Sequence, residues 1–147
     1  MDVSTTRFGL ISVPEDSIYS FPSGILGFPE QKQFAIISEN DGPLKWMQSL
    51  SSPDLAFVVC DPLTFKPDYQ VKLQKSELSE IKLSEVSKAV VLVILVVRDD
   101  PQEITANLVG PLVFNTENQL AKQSILTEDG LSTKHKLIDN QVAANAS

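Results

Sequence analysis

The residues able to do chemistry are few and scattered. The 147-residue chain has one histidine, His135, and one cysteine, Cys60. A catalytic imidazole needs a nucleophile or a carboxylate beside it, and no motif around His135 supplies either. Flanked by Lys134 and Lys136, it reads as a surface histidine on an exposed C-terminal segment. Cys60 closes the apolar run Ala56-Phe57-Val58-Val59 and is followed by Asp61. A reactive thiol needs partial exposure and nearby positive charge, so an adjacent carboxylate opposes reactivity, and Cys60 reads as a small buried hydrophobe. The acids form two groups: Asp99-Asp100 with Glu103, and Glu77 with Glu80 and Glu85. Paired carboxylates can act as general acid and base or hold a cation. Neither group has the alternating oxygen ligands and turn glycine of a calcium loop. The first reads as a turn and the second as a solvated face. There is no GxSxG elbow and no P-loop. Gly24-Ile25-Leu26-Gly27 lacks the third glycine and the following helix of a dinucleotide fingerprint. No cofactor, metal or catalytic residue is expected.

Composition narrows the classes further. Twelve Lys and Arg against 19 Asp and Glu give a net charge of −7. Phosphate backbones demand clustered cations, so direct nucleic-acid binding is disfavoured, as is a polybasic membrane contact. One cysteine excludes an internal disulfide and a multi-cysteine metal site. The start, Met1 to Arg7, has no basic region followed by an apolar run, so it does not read as a signal peptide. The most apolar stretch, Ala89 to Val97, is far shorter than the roughly 20 residues a spanning helix needs. A cytoplasmic protein without a membrane contact is the expectation.

The elements that must position these residues are short strands. Apolar runs over Phe8–Val13, Ile18–Phe21, Phe34–Ile37, Leu44–Leu50 and Leu55–Cys60 are separated by turn signals such as Pro14-Glu15-Asp16, Pro22-Ser23-Gly24 and Ser51-Ser52-Pro53-Asp54. Punctuation this dense suits strands and starves helices. Tyr69, Val71 and Leu73 alternate with Gln70, Lys72 and Gln74, which predicts a strand with one wet face. Ala89 to Val97 is apolar on both parities, which predicts a central strand covered on both sides. Further strands are expected over Ile104–Leu108, Leu112–Asn115 and Ser124–Leu126. One short helix is expected over Ser76–Ile81, N-capped by Ser76, with Leu78 and Ile81 on one face. These elements predict an all-β domain over 1–138: a small barrel-like sandwich of about ten short antiparallel strands with one short helix. Residues 139–147 read as a flexible tail.

Several segments together resemble the flagellar assembly factor FliW family. They are Gly24-Ile25-Leu26-Gly27-Phe28 followed by Phe34, Trp46-Met47-Gln48-Ser49, Ala56-Phe57-Val58-Val59-Cys60-Asp61-Pro62, and Asp68-Tyr69. After the long strand come Thr105-Ala106-Asn107-Leu108-Val109-Gly110-Pro111, Val113-Phe114-Asn115 and Gln123-Ser124-Ile125-Leu126. Each is short; their order over Phe8 to Leu137 carries the resemblance. Gly110 stands where the family usually has Ala, and Met47 where it usually has Leu. Glu117–Lys122 lacks the Arg and Gly often found there.

The resemblance implies a non-enzymatic regulator with a barrel-like β-fold. It implies two partners, flagellin and the RNA-binding translational repressor CsrA. Flagellin would occupy the protein until exported; the released protein would then bind CsrA outside its RNA-contacting surface and relieve repression of flagellin synthesis. The protein would be a monomer when free. An acidic protein suits a basic partner, because opposite net charges speed encounter. Polar residues inside family-like segments, without an obvious place in a core, are the candidate contacts: Gln48, Asp61, Asp68, Tyr69, Thr105 and Asn107. Two other classes stay open at this point. A ligand-binding β-barrel requires an open apolar cavity. A small carboxylate enzyme requires a concave site holding several acids with shifted pKa values.

Overall fold

The computed structural model describes residues 1–38, 42–97 and 99–137. β1 (Asp2–Thr5) and β2 (Gly9–Ser12) form a hairpin of their own. β3 (Ile18–Ser20), β4 (Gln33–Ile37), β5 (Leu44–Ser49), β6 (Ala56–Cys60) and β7 (Val90–Val96) follow as an antiparallel meander. The only described α-helix, α1 (Lys75–Glu80), lies between β6 and β7. β8 (Thr105–Ala106), β9 (Leu112–Asn115), β10 (Leu120–Gln123) and β11 (His135–Lys136) complete the chain. β9 pairs with both β7 and β10, and β10 meets β3. That closes β3 to β7, β9 and β10 into a seven-stranded barrel, with β8 and β11 running on as an outer extension from β7. The described strand pairings are antiparallel except the closing one, Leu120 beside Ser20, which is parallel.

Cross-strand partners share a face, so the registers sort the side chains. Inside lie Tyr19, Phe34, Met47, Val59, Leu92, Leu112, Phe114 and Ala121, joined by Phe21 and Ile25. Edge-to-face rings fill the centre: Phe21 meets Phe34 at 5.5 Å and Phe114 at 5.8 Å, and Tyr19 meets Phe114 at 4.9 Å. Each fully buried Phe contributes about 2–3 kcal/mol of apolar transfer. The outer face is also apolar and is covered in three places. The β1–β2 hairpin lays Val3 and Ile11, with Val13 just beyond it, over Ala35 and Ile37. The segment around Tyr69 and Val71, with Leu126 and Leu131, covers Cys60, Val93, Leu95 and Ala106. Ile81 and Leu83 after α1 cover Val113 and Leu120.

The all-β expectation stands; several details differ. α1 begins at Lys75, and its N-cap is Gln74, not Ser76. Glu77 Oε2 accepts from the Gln74 N–H at 3.0 Å, which closes the first turn from below. Leu78 and Ile81 do face the barrel. Tyr69–Gln74 keeps its alternation in burial, with 69, 71 and 73 turned inward and 70, 72 and 74 exposed, yet it is not a strand. Alternation reports one wet face; it does not require a ladder partner. The strand expected at Ser124–Leu126 lies at Leu120–Gln123, and the 124–126 backbone instead bonds to the loop carbonyls of Pro111 and Val109. In β7 the neighbours Leu92 and Val93 are both buried, as a twice-covered strand requires, but Val90 and Val96 at its ends are exposed. β1 carries no punctuated apolar run and was not legible. Of the turn signal Glu39-Asn40-Asp41-Gly42-Pro43 that follows the Phe34–Ile37 run, positions 39–41 lie outside the described residues, as do the domain end at 138 and the tail 139–147. Among the described residues no helix is long and apolar enough to cross a membrane.

The Gly24–Phe28 segment is a tight turn at one end of the barrel. Ile25 and Phe28 exchange backbone hydrogen bonds, with Gly27 at φ +85° in the position that needs positive φ. Ile25 and Phe28 pack on the interior, and Phe28 meets Phe57 at 5.6 Å. Gly24 has φ +70°, and a Cβ there would lie 2.6 Å from the Pro29 carbonyl oxygen. Gly27 has open space around it. Gly27→Ala should therefore cost about 1 kcal/mol from backbone conformation alone, and Gly24→Ala about 2–4 kcal/mol because backbone must also move. Urea unfolding midpoints of the two variants check this; equal losses would show that the Pro29 approach is not the cause.

Candidate functional site

The six residues singled out from the sequence separate by what their side chains already do. Gln48 is 1% exposed. Its amide nitrogen donates to the carbonyls of Ser49, Pro53 and Leu55 at 3.1, 3.1 and 3.2 Å, so it ties down the β5–β6 turn. Tyr69 is buried and its hydroxyl donates to the Leu108 carbonyl at 2.6 Å. Burial, with Glu128 adding repulsion, pushes its phenol well above the ordinary range. Asn107 Oδ1 accepts from the Val109 and Gly110 N–H groups at 3.1 and 3.0 Å. Thr105 is half-buried in β8, between Val96 and Lys136. Asp61 and Asp68 are exposed. Asp61 Oδ1 accepts from Leu63 N–H at 2.9 Å and caps the 3-10 turn Pro62–Thr64. Asp68 pairs with Lys66 at 3.3 Å, yet its side chain stays 82% exposed.

Asp61 and Tyr69 line one open groove of about 640 Å³, whose other walls include Leu63, Val71, Lys72, Val86 and Val90. Leu63 is 52% and Val90 45% exposed. The groove is thus an apolar trough with a carboxylate at its rim, and Asp68 directly precedes Tyr69. Gln48, Thr105 and Asn107 are not among its walls. Val90 was not legible as a surface residue because it sits in the apolar run Ala89–Val97, and Leu63 carries no signal in the turn after Asp61-Pro62.

The other chemically able residues are spoken for. Cys60 is buried, and desolvation with the neighbouring Asp61 charge raises its thiol pKa to about 11. His135 is not on an exposed flap: it pairs in β11 with Ala106 and stacks on Phe65, ring centroids 5.8 Å apart. Asp100 Oδ1 accepts from Gln102 N–H at 3.0 Å, a turn as expected. Glu77 and Glu80 are not a merely solvated face. Both reach Lys122 of β10, at 3.7 and 2.8 Å. Ser124 donates to Glu77 at 2.9 Å, and Ser23 donates to Glu80. These contacts pin α1 to the barrel wall. Among the described residues no group of three or more His, Cys, Asp or Glu side chains converges to hold a metal ion. The centre of the barrel is packed with side chains rather than hollow, and what opens beside it is a pocket of about 290 Å³ bordered by Tyr19, Ile36, Leu92 and Phe114.

The chain's likenesses agree with this picture. The FliW protein family model matches residues 2–137. The chain belongs to the FliW family. It is 38% identical over 141 residues to the flagellar assembly factor FliW of Caldanaerobacter subterraneus subsp. tengcongensis, covering 95% of this chain and 94% of that one. It is 38% identical over 146 residues to the flagellar assembly factor FliW of Geobacter sulfurreducens, covering 99% and 92%. A crystal structure of the flagellar assembly factor FliW superposes with a TM-score of 0.87 at 35% identity, covering 97% of this chain and all 100% of the other. FliW proteins are flagellar assembly factors, a regulatory family rather than enzymes. The role of this chain is accordingly in flagellar assembly, which is work done through protein partners, and the surface matters more than any reactive group.

The FliW segment Thr105–Pro111 is a structural joint. Leu95 pairs with Ala106 and Leu92 with Leu112. Three steps along β7 therefore face six along the partner strand, and the excess bulges out. The Gly110 carbonyl in this bulge accepts from the Gln123 amide nitrogen at 3.0 Å, and a Cβ at this position, as in the family's usual Ala, would meet the flexible end of the Gln123 side chain, at 2.7 Å.

The α1 anchor has a pH signature. Hydrogen bonds from Lys122 and Ser23 hold the Glu80 carboxyl below its ordinary value of 4.5. As pH falls, the unfolded chain takes up that proton first, so the stabilisation is complete above about pH 4.5 and lost as pH drops through the lower folded value. Thermal unfolding between pH 3 and 6 should show stability rising with pH in the wild type and a shallower rise in Glu80→Gln. Parallel profiles would exclude Glu80 as a contributor.

Proposed function

We propose that this protein binds flagellin and, when released, binds a CsrA-type repressor and antagonises it allosterically, relieving repression of flagellin mRNA. It acts in the cytoplasm, as a monomer when free, and touches neither nucleic acid nor membrane. The observation that carries the reading is membership of the FliW family across nearly the whole chain. The physical support is the exposed pair Asp61 and Asp68 beside an apolar trough, on a chain of net charge −7. An RNA-binding repressor is basic, so acids at the rim accelerate its encounter, while the apolar wall supplies the short-range contact. Of the six candidate residues, Asp61 and Asp68 keep a solvent-facing charge. Gln48, Tyr69 and Asn107 act by holding the surface in shape, and Thr105 lies apart on β8.

Co-purification with CsrA alone, with flagellin alone and with both present tests the reading. Each single partner should be retained; failure to retain either at micromolar concentration and low salt would sink it. Asp68→Lys combined with Asp61→Asn, which keeps an oxygen for the Leu63 N–H, should slow CsrA association about three- to tenfold at low salt. The difference should shrink at high salt, because the Debye length falls to about 3 Å at 1 M. Unchanged association rates in the folded variant would move the contact elsewhere.

A further inference from the structure

The outer face of the barrel is left open in one further place. Between the β1–β2 hairpin and the β7 end runs an open groove of about 780 Å³. Its walls are Leu44 and Trp46 of β5, Val58 of β6, Leu95 of β7 and Val97 just beyond. Leu44 is 41% and Val97 50% exposed. The pairing of β6 with β7 runs only from Cys60–Val93 to Val58–Leu95, so the two strands part where the groove deepens. Among the described residues of its wall the charged one is Arg7, at the tip of the hairpin.

Arg7 is held rather than dangling. Its guanidinium carbon lies 4.1 Å from the Trp46 ring centroid, and Phe8 packs edge-on against the same indole at 6.0 Å. Cation–π stacking fixes the plane of the guanidinium but leaves its N–H fork free to bind an anion. Among the described ion pairs none involves Arg7, although the chain has 19 acids to 12 cations. A cation at the mouth of an otherwise apolar trough is complementary to one kind of occupant: a polypeptide segment with aliphatic side chains beside a carboxylate. A basic partner is repelled there.

We propose that the Arg7–Trp46 groove is a docking site for such a segment, separate from the acidic Asp61–Asp68 rim. The inference rests on the function proposed above in one respect: flagellin is the partner that supplies the segment, and the basic repressor binds at the acidic rim. The two sites are walled by no described residue in common: Arg7 is the charged wall residue of one, Asp61 and Lys72 those of the other.

Trp46 is the only tryptophan in the chain, so its fluorescence reports the groove directly. The test is a titration of the full-length protein with Trp-free flagellin, read by Trp46 emission and by calorimetry. Wild type should bind with a saturable emission change. Arg7→Glu should weaken flagellin binding at least tenfold while leaving CsrA binding within about twofold, and Val97→Asp should do the same from the other end of the groove. Circular dichroism confirms that each variant is folded. Flagellin binding to wild type without an emission change, or equal affinity in both variants, overturns the groove assignment alone. Loss of CsrA binding in step with flagellin overturns the separation of the sites. Absence of flagellin binding to wild type overturns the flagellin part of the proposed function and this inference with it.

Discussion

The register break between β7 and its neighbour is the constraint on which the rest of the structure leans. An insertion in a sheet strands backbone donors and acceptors, and each one buried without a partner costs about 1–3 kcal/mol. Here the bulge is satisfied group by group. Asn107 N–H returns to Ile94, Leu108 N–H goes to Ser132, and the Asn107 side chain takes Val109 and Gly110. Pro111 has no N–H to place. The carbonyls of Leu108, Val109, Gly110 and Pro111 accept from Tyr69, Leu126, Gln123 and Ser124. The bulge therefore holds the 69–74 segment, the stretch after β10 and the C-terminal segment against one point. Through the same Gln123, whose Oε1 accepts from Leu26 N–H at 2.9 Å, it also reaches the Gly24–Phe28 turn. One irregularity in one strand thereby fixes the outer layers that shape the Asp61–Tyr69 trough.

The closed barrel and its filled interior push function outward. Phe21, Phe34 and Phe114, packed edge to face and essentially unexposed, fill the centre of the barrel. Closure also removes the free strand edges that would otherwise template pairing with another chain. What remains is an outer face that is itself apolar because each strand is packed on both sides. Three layers cover most of it, and open grooves lie in the gaps between them. A protein built this way presents apolar troughs to partners without loosening its core.

Much of this was legible in the sequence, and the parts that were not share a cause. Strands β2 to β7 and β9 follow from short apolar runs between turn residues, which is local information. The thiol of Cys60 was legible for the same reason, since Asp61 is its next neighbour. Closure was not legible, because it depends on β9 finding β7 and β10 finding β3, and a single parallel pair carries no pattern. The Tyr69–Leu73 alternation was read correctly as sidedness and wrongly as a ladder, since burial on one face has the same period whether or not the backbone is paired. Glu77 and Glu80 looked solvated because their partner Lys122 lies more than forty residues away.

The same reasoning explains why polar residues in recognisable segments so often hold the fold together. Gln48, Tyr69 and Asn107 stand out in a sequence because a polar side chain in an apolar run is conspicuous. A fold built from short strands and irregular joints has many backbone groups that no ladder satisfies, and those conspicuous side chains are what satisfy them. The residues that wall the open grooves, by contrast, are ordinary: Val90, Val97 and Leu44 lie in apolar runs and are exposed where the covering layers end. Arg7 and Trp46 come together across a hairpin turn and a sheet, from positions 39 residues apart (46 − 7). Open grooves form where packing stops, and where packing stops is a property of the closed fold.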